Sequence, residues 1–289
     1  MKTHQRPYTV QEFTTTVPIQ KKAILKADGE NIPCRSVGLQ SGKITSKATI
    51  CSSTSEIPSF DKISTPIITF NPYCEAISYN TVFINAPAVA IRPKDVGKVI
   101  AAEKIEGYTK IAPTTYIAKN ILVGNTTSPQ VICFAHYDCR WSGAWDNGGG
   151  VTALMGTLLC FPHLLENALF VFWANEEISY DTSPAYRCKG ARAFEKKYFH
   201  LLEKSKEIVV IDGIGRSSAR RINHDEQLTF IFWIKNLKQI QHKIRTLANR
   251  TLSDITFYHS ELDTLENIKE EHLVKTMQMI RKKMEALIE

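Results

Sequence analysis

The chain has 289 residues, 43% of them hydrophobic and 22% charged, a balance that excludes a collagenous, low-complexity or wholly disordered polypeptide. Its 36 Lys and Arg against 29 Asp and Glu leave a formal charge of +7, but the basic residues are scattered and not interleaved with stacking aromatics, which argues against a nucleic-acid partner. The apolar stretches fall short of the roughly 20 residues of a membrane helix, and Met1–Val10 lacks the apolar run of a secretory signal, so the expectation is a cytoplasmic protein with no membrane partner.

In chain order, Tyr8–Val17 reads as an extended, β-branched segment ending near Pro18 that can pair with a later sheet. From Gln20 to Glu106, short runs such as Ala48–Ile50, Pro66–Phe70 and Thr81–Ile84 alternate with Ser, Pro, Gly and Asn clusters, predicting small β structure interrupted by one helix over Pro93–Glu106. Beyond Thr115, strand and helix repeat: strand Val131–Ala135, helix Gly150–Cys160, strand Ala168–Ala174, helix Ala185–Lys204, strand Glu207–Ile211, strand Leu228–Ile234, helix Lys235–Asn249 and a short strand Asp254–Tyr258. Leu265–Ile288 carries an apolar stripe at helical spacing and closes the chain as a packed helix. The alternation predicts an α/β fold, a mixed and mainly parallel sheet flanked by helices, formed by residues 1–19 and 107–289, with residues 20–106 as a small β-rich inserted domain. Seven cysteines without a C-x-x-C pair read as reduced, mostly buried thiols rather than a zinc ribbon.

The chemistry gathers at the carboxyl ends of the predicted strands, where open α/β sheets place their ligand crevices. His136 and Asp138 close one strand, Glu176 and Glu177 the next, and Asp212 a third. Parallel neighbours lie about 5 Å apart, so four carboxylates and an imidazole would share a small volume, and a bound cation is the simplest way to relieve their repulsion. Asp146, in the glycine-rich run Gly143–Gly150 before a helix, suits a helix N-cap and a ligand equally. His259 taken alone reads as a structural or surface histidine.

Five motifs in order, His136-Tyr137-Asp138, Gly143-Ala144-Trp145-Asp146-Asn147, Asn175-Glu176-Glu177, Val210–Gly215 and Tyr258-His259 with Asp263-Thr264, resemble those of the co-catalytic zinc aminopeptidases and glutamate carboxypeptidases, metallopeptidase family 28. The resemblance covers the chain from about Tyr116 onward, and residues 20–106 more weakly resemble a protease-associated-type insertion. It implies two divalent metal ions, zinc first, with cobalt or manganese as alternatives. Asp146 would bridge them, His136 and Asp212 would hold one, and Glu177 and His259 the other. It further implies Glu176 as general base, Asp138 as the residue that orients His136, and Tyr258 as a donor to the oxyanion, although a packing role suits Tyr258 as well. The implied activity is that of an exopeptidase, first an aminopeptidase acting on peptide substrates with a free N-terminus. A carboxypeptidase, another amide hydrolase of the family and a non-catalytic scaffold module are the alternatives. Members usually have a helix before the first strand; without it, one sheet face is bare or covered by a partner subunit, which makes a homo-oligomer an expectation. The run Ile178–Arg187 departs from the family's common wording and reads as a loop over the site.

Overall fold

The computed structural model describes residues 7–53, 65–78, 84–182, 186–222, 228, 231–249 and 256–288. Among them the strands are β1 (Tyr8–Ala27), β2 (Glu30–Asn31), β3 (Cys34–Ser36), β4 (Gly42–Thr45), β5 (Thr49–Ser52), β6 (Ile67–Phe70), β7 (Ala88–Ile91), β8 (Ile105–Gly124), β9 (Val131–His136), β10 (Ala168–Trp173), β11 (Glu207–Ile211), β12 (Arg220–Ile222) and β13 (Ile244–Ala248). The helices are α1 (Val96–Ala101), α2 (Gly149–Cys160), α3 (Lys189–Lys204), α4 (Leu237–Ile240) and α5 (Glu270–Ile288). No helix of the described residues is long and apolar enough to cross a membrane.

The larger sheet runs β12-β13-β11-β9-β10-β8-β1-β2, with β4 also on β8. Its centre, β13 to β10, is parallel, and β8, β1 and β12 join antiparallel. Apart from His136 at the end of β9 and Glu207 at the start of β11, β9, β10 and β11 are apolar and buried along their length, because both faces are covered. Ile132, Phe134, Val171, Trp173 and Val210 pack towards α3 and α4, while Val131, Cys133, Ala135, Phe170 and Ile211 pack towards α2 and α5. This is the mixed sheet between helices that the alternation predicted, but it is not mainly parallel: only the four central strands pair parallel with one another, and β1, β2, β4, β8 and β12 all join antiparallel.

β1 and β8 pair along their whole length, from Tyr8 opposite Val123 to Ala27 opposite Ile105, with a register shift between Gln20 and Lys22. Pairing of Tyr8–Val17 with the sheet was expected; its continuation through Pro18 was not. Pro18 stands opposite Pro113, and Thr16, two residues earlier, gives its N–H to Asp181 rather than to β8. The nitrogen of Pro18 therefore also points away from β8, and the ladder loses no donor there. The two strands run through residues 20 and 107, and a second sheet, β3-β7-β6-β5, lies within residues 34–91 with a core of its own.

Several expected elements differ. Over Pro93–Glu106 only a 3₁₀ turn and α1 are helical, and β8 starts at Ile105, where Gly107 lies so close to the Ile24 carbonyl that a Cβ would collide. Leu228–Ile234 is not a strand: Leu228 and Ile231 are helical, and the Phe232 N–H bonds the Leu228 carbonyl. Leu228, Ile231 and Phe232 follow helical spacing, and with Leu237 and Ile240 of α4 they pack into one core. The expected helix Lys235–Asn249 shrinks to α4 followed by β13, whose residues pair with β11. A short apolar run does not by itself separate strand from buried helix, and here the order was reversed. Of the expected strand Asp254–Tyr258, residues 254–255 lie outside the described residues and 256–258 form a turn. In the last helix the regular α part begins at Glu270, and in Ala185–Lys204 it begins at Lys189, with residue 185 outside the described residues. Of Thr81–Ile84, only Ile84 is described, bridging to Gly38.

Candidate metal centre

Strand register sets the site. Trp173 of β10 stands beside His136 of β9, and Val210 of β11 beside Phe134, so the residues that leave these strands emerge at one level. His136 ends β9, Asn175-Glu176-Glu177 follow β10, and Asp212 follows β11. Asp146 enters from the loop before α2, where its backbone N–H and that of Trp145 are both held by the Asp263 carboxylate, at 3.1 and 2.6 Å. Asn147 ties the same loop to β11, donating to the Ile211 carbonyl and accepting from Gly150 and Gly213. The peptide bond between Asp146 and Asn147 is cis. Gly213, at φ +61°, leaves room for the Trp145 ring, which a Cβ would strike.

Two buried groups of ligand-type atoms result, His136–Asp146–Asp212 and Asp146–Glu177–His259. His136 Nε2 lies 3.2 Å from Asp146 Oδ1 and 3.3 Å from Asp212 Oδ1. His259 Nε2 lies 3.3 Å from Asp146 Oδ2 and 3.1 Å from Glu177 Oε2. Each oxygen of Asp146 thus serves one group. All five side chains suggested as ligands by the resemblance are brought together.

The donors fit cations. His136 Nδ1–H donates to the Asp138 carbonyl at 3.0 Å, which leaves the Nε2 lone pair aimed at two carboxylate oxygens. Acceptors facing an acceptor are stable only with a proton or a metal between them. Both Glu177 oxygens are buried, and the imidazole of His259, 3.1 Å from Oε2, faces them, the surroundings of a carboxylate built to meet a cation.

In the metal-free protein, protons take that place. Burial alone would depress His136, but its hydrogen bonds to Asp138, Asp146 and Asp212 push it well above the usual histidine value. His259 is likewise depressed by burial, yet the Glu177 charge and its bonds to Asp146 and Glu177 raise it to about 9. Burial would raise Asp146, and the two histidines outweigh it and hold it far below the carboxylate range.

Glu176 is different. It is buried, and burial pushes its carboxyl up to about 7 against the opposing charges of Arg187 and His136. Arg187 Nη2 donates to Glu176 Oε1 at 2.8 Å. Asp138 acts on His136 through its carbonyl, while its carboxylate accepts the N–H groups of Glu176 and Glu177, each at 3.0 Å. Tyr258 is half-buried, its ring stacked on His259 at 3.7 Å and edge-on to Trp145. Ser78, from the region of the second sheet, donates to the Tyr258 carbonyl at 2.6 Å and bridges to Ser260.

Two contributors went unread in the sequence. Asp263 stands in the last motif with no role implied for it, and its position four residues after His259 is the available signal. Arg187 has no local signal, because its pairing with Glu176 depends on how the intervening loop returns.

Residues 119–251 match the family model described as Peptidase family M28. The fold is similar to that of a zinc aminopeptidase from Bacillus subtilis, at 14% identity over 95% of this chain and 83% of that one, with a TM-score of 0.65. A peptidase M28 precursor from Shewanella amazonensis shares 15% identity over 96% and 84% of the two chains, with a TM-score of 0.60. A putative peptidase from Clostridium acetobutylicum shares 11% identity over 97% and 72%, with a TM-score of 0.61. No curated protein matches the chain. The matched stretch carries His136, Asp146, Glu176, Glu177 and Asp212, and in it the chain is similar to peptidase family M28.

Proposed function

We propose that the chain is a dinuclear-metal-dependent exopeptidase, an aminopeptidase that removes residues from the free N-terminus of peptides. The observation that carries this reading is the sharing of Asp146 between two buried ligand groups. His136 and Asp212 would hold one ion, Glu177 and His259 the other, and Asp146 both; imidazole nitrogen and carboxylate oxygen suit zinc, with cobalt or manganese as alternatives. Such ions, when bound, supply the positive charge that acidifies a water and polarises the scissile carbonyl.

Glu176 neighbours a ligand without belonging to either ligand group. It takes the proton of the attacking water and hands it to the departing amine, a task suited to a carboxyl that burial has moved towards neutral pH. Asp138 keeps the turn that bears Glu176 and Glu177 in place. The Tyr258 hydroxyl donates to the oxygen of the attacked carbonyl, with its ring held against His259. The zinc aminopeptidase named among the similar folds supports the choice of reaction.

The test is hydrolysis of one peptide, free or acetylated at its N-terminus, by metal-stripped protein before and after zinc is added. Zinc-dependent cleavage of the free form alone is the expected result. Cleavage of both forms would move the assignment to a carboxypeptidase, and cleavage of neither would contradict peptidase function.

A further inference from the structure

The segment after Glu177 doubles back on the strand end it leaves. The Ser179 N–H bonds the Tyr186 carbonyl at 2.7 Å, the Cys188 N–H the Glu176 carbonyl at 2.8 Å, and the Lys189 N–H the Asn175 carbonyl at 2.8 Å. Asn175, Tyr186 and Cys188 have φ of +56°, +54° and +55°, a left-handed conformation that non-glycine residues keep only where their surroundings over-determine it. The effect is to lay Arg187 along Glu176. Their side chains are 6% and 3% exposed and meet at 2.8 Å; Cys188 Sγ lies 3.5 Å from the same oxygen, Oε1.

We infer that Arg187 is a positioning residue for Glu176, holding Oε1 so that Oε2 is the oxygen that handles the proton. The inference rests on the peptidase reading of Glu176. On the other side, the Asp138 carboxylate grips the Glu176 N–H, so backbone and carboxylate are fixed from two directions. A guanidinium suits the task because it stays charged when buried and its planar fork sets the direction of the bond. Removing one partner of a buried pair leaves the other uncompensated, which makes the orientation of Glu176 depend on Arg187.

The experiment compares R187M, R187K, E176Q and the double variant R187M/E176Q in kcat, KM, bound zinc and melting temperature. R187M is expected to lower kcat by roughly 100-fold, the scale of one misplaced proton carrier, with KM and bound zinc unchanged. R187K is expected to recover about ten-fold of that loss, because it restores the charge without the fork. In the E176Q background R187M should cost little further activity and less melting temperature, the non-additivity of residues acting as one unit. Wild-type kcat in folded R187M, loss of zinc in step with activity, or additive losses in the double variant would overturn the role. If R187M does not fold, R187K decides: a lower kcat at unchanged KM and zinc supports the role, and wild-type kcat overturns it. A wild type without zinc-dependent cleavage would sink the peptidase reading and this inference together, whereas an active wild type with an equally active R187M would sink Arg187 alone.

Discussion

The two ligand groups that share Asp146 rest on different kinds of support. His136 and Asp212 stand at the ends of β9 and β11, adjacent parallel strands in a sheet covered on both faces. His259 sits in a turn over 256–259 at φ +48°. That turn is held by side chains far away in sequence: Ser78 on the Tyr258 carbonyl, and the ring contacts of Trp145 with Phe257 and Tyr258. One half of the centre is thus a product of sheet register, and the other depends on a loop docked against the region of the second sheet. Opening of such a loop costs less than opening of the central strands, so the half with His259 is expected to bind its ion more weakly.

The largest effect that bears on this comparison is at the shared residue. Asp146→Ala should lose both ions and all turnover, whereas His259→Ala should lose one and keep the ion of the strand-end group, as read by metal analysis of the purified variants. Retention of two ions by Asp146→Ala would remove the bridge on which the comparison rests. Glu176→Gln should cut turnover by about 10²- to 10⁴-fold while both ions remain, and loss of metal in that variant would make Glu176 a ligand.

A smaller effect is expected from Ser78→Ala, which deletes the donor to the Tyr258 carbonyl. Removing support of this kind typically costs 10- to 100-fold in metal affinity, and the lower figure, about ten-fold, is expected for the second ion only. Equal weakening of both ions would show that the two halves are not separately supported.

The smallest is a pH trend of the metal-free protein. His259 is raised from 6.5 to about 9, so its stabilising charge is fully present below 6.5 and is lost as the pH rises through 9. Glu176, raised from 4.5 to about 7, acts in the same direction at lower pH, since its protonated form is favoured in the fold. Metal-free protein should therefore melt at falling temperatures from pH 5 to 9. The zinc-loaded form should not follow, because zinc replaces the protons; parallel curves for the two forms would contradict that exchange.

What was legible in the sequence follows the same division. Val131–His136, Ala168–Trp173 and Glu207–Ile211 are short apolar runs that end on His136, Glu176 and Asp212 or just before them, so strand, sheet position and site could be read together. The segment 228–249 was misread because its apolar residues serve a helical turn first and a strand second, an order that only packing against Phe134 and Trp173 decides. Asp263 and Arg187 act through contacts made by the fold, Asp263 on backbone groups more than a hundred residues away. Nothing in the local pattern of a sequence marks such partners.

The central claim is that one carboxylate holds two ions, and zinc titration of the metal-stripped wild type tests it most directly. Two equivalents are expected to bind, the second more weakly than the first. A single equivalent at saturation would contradict it.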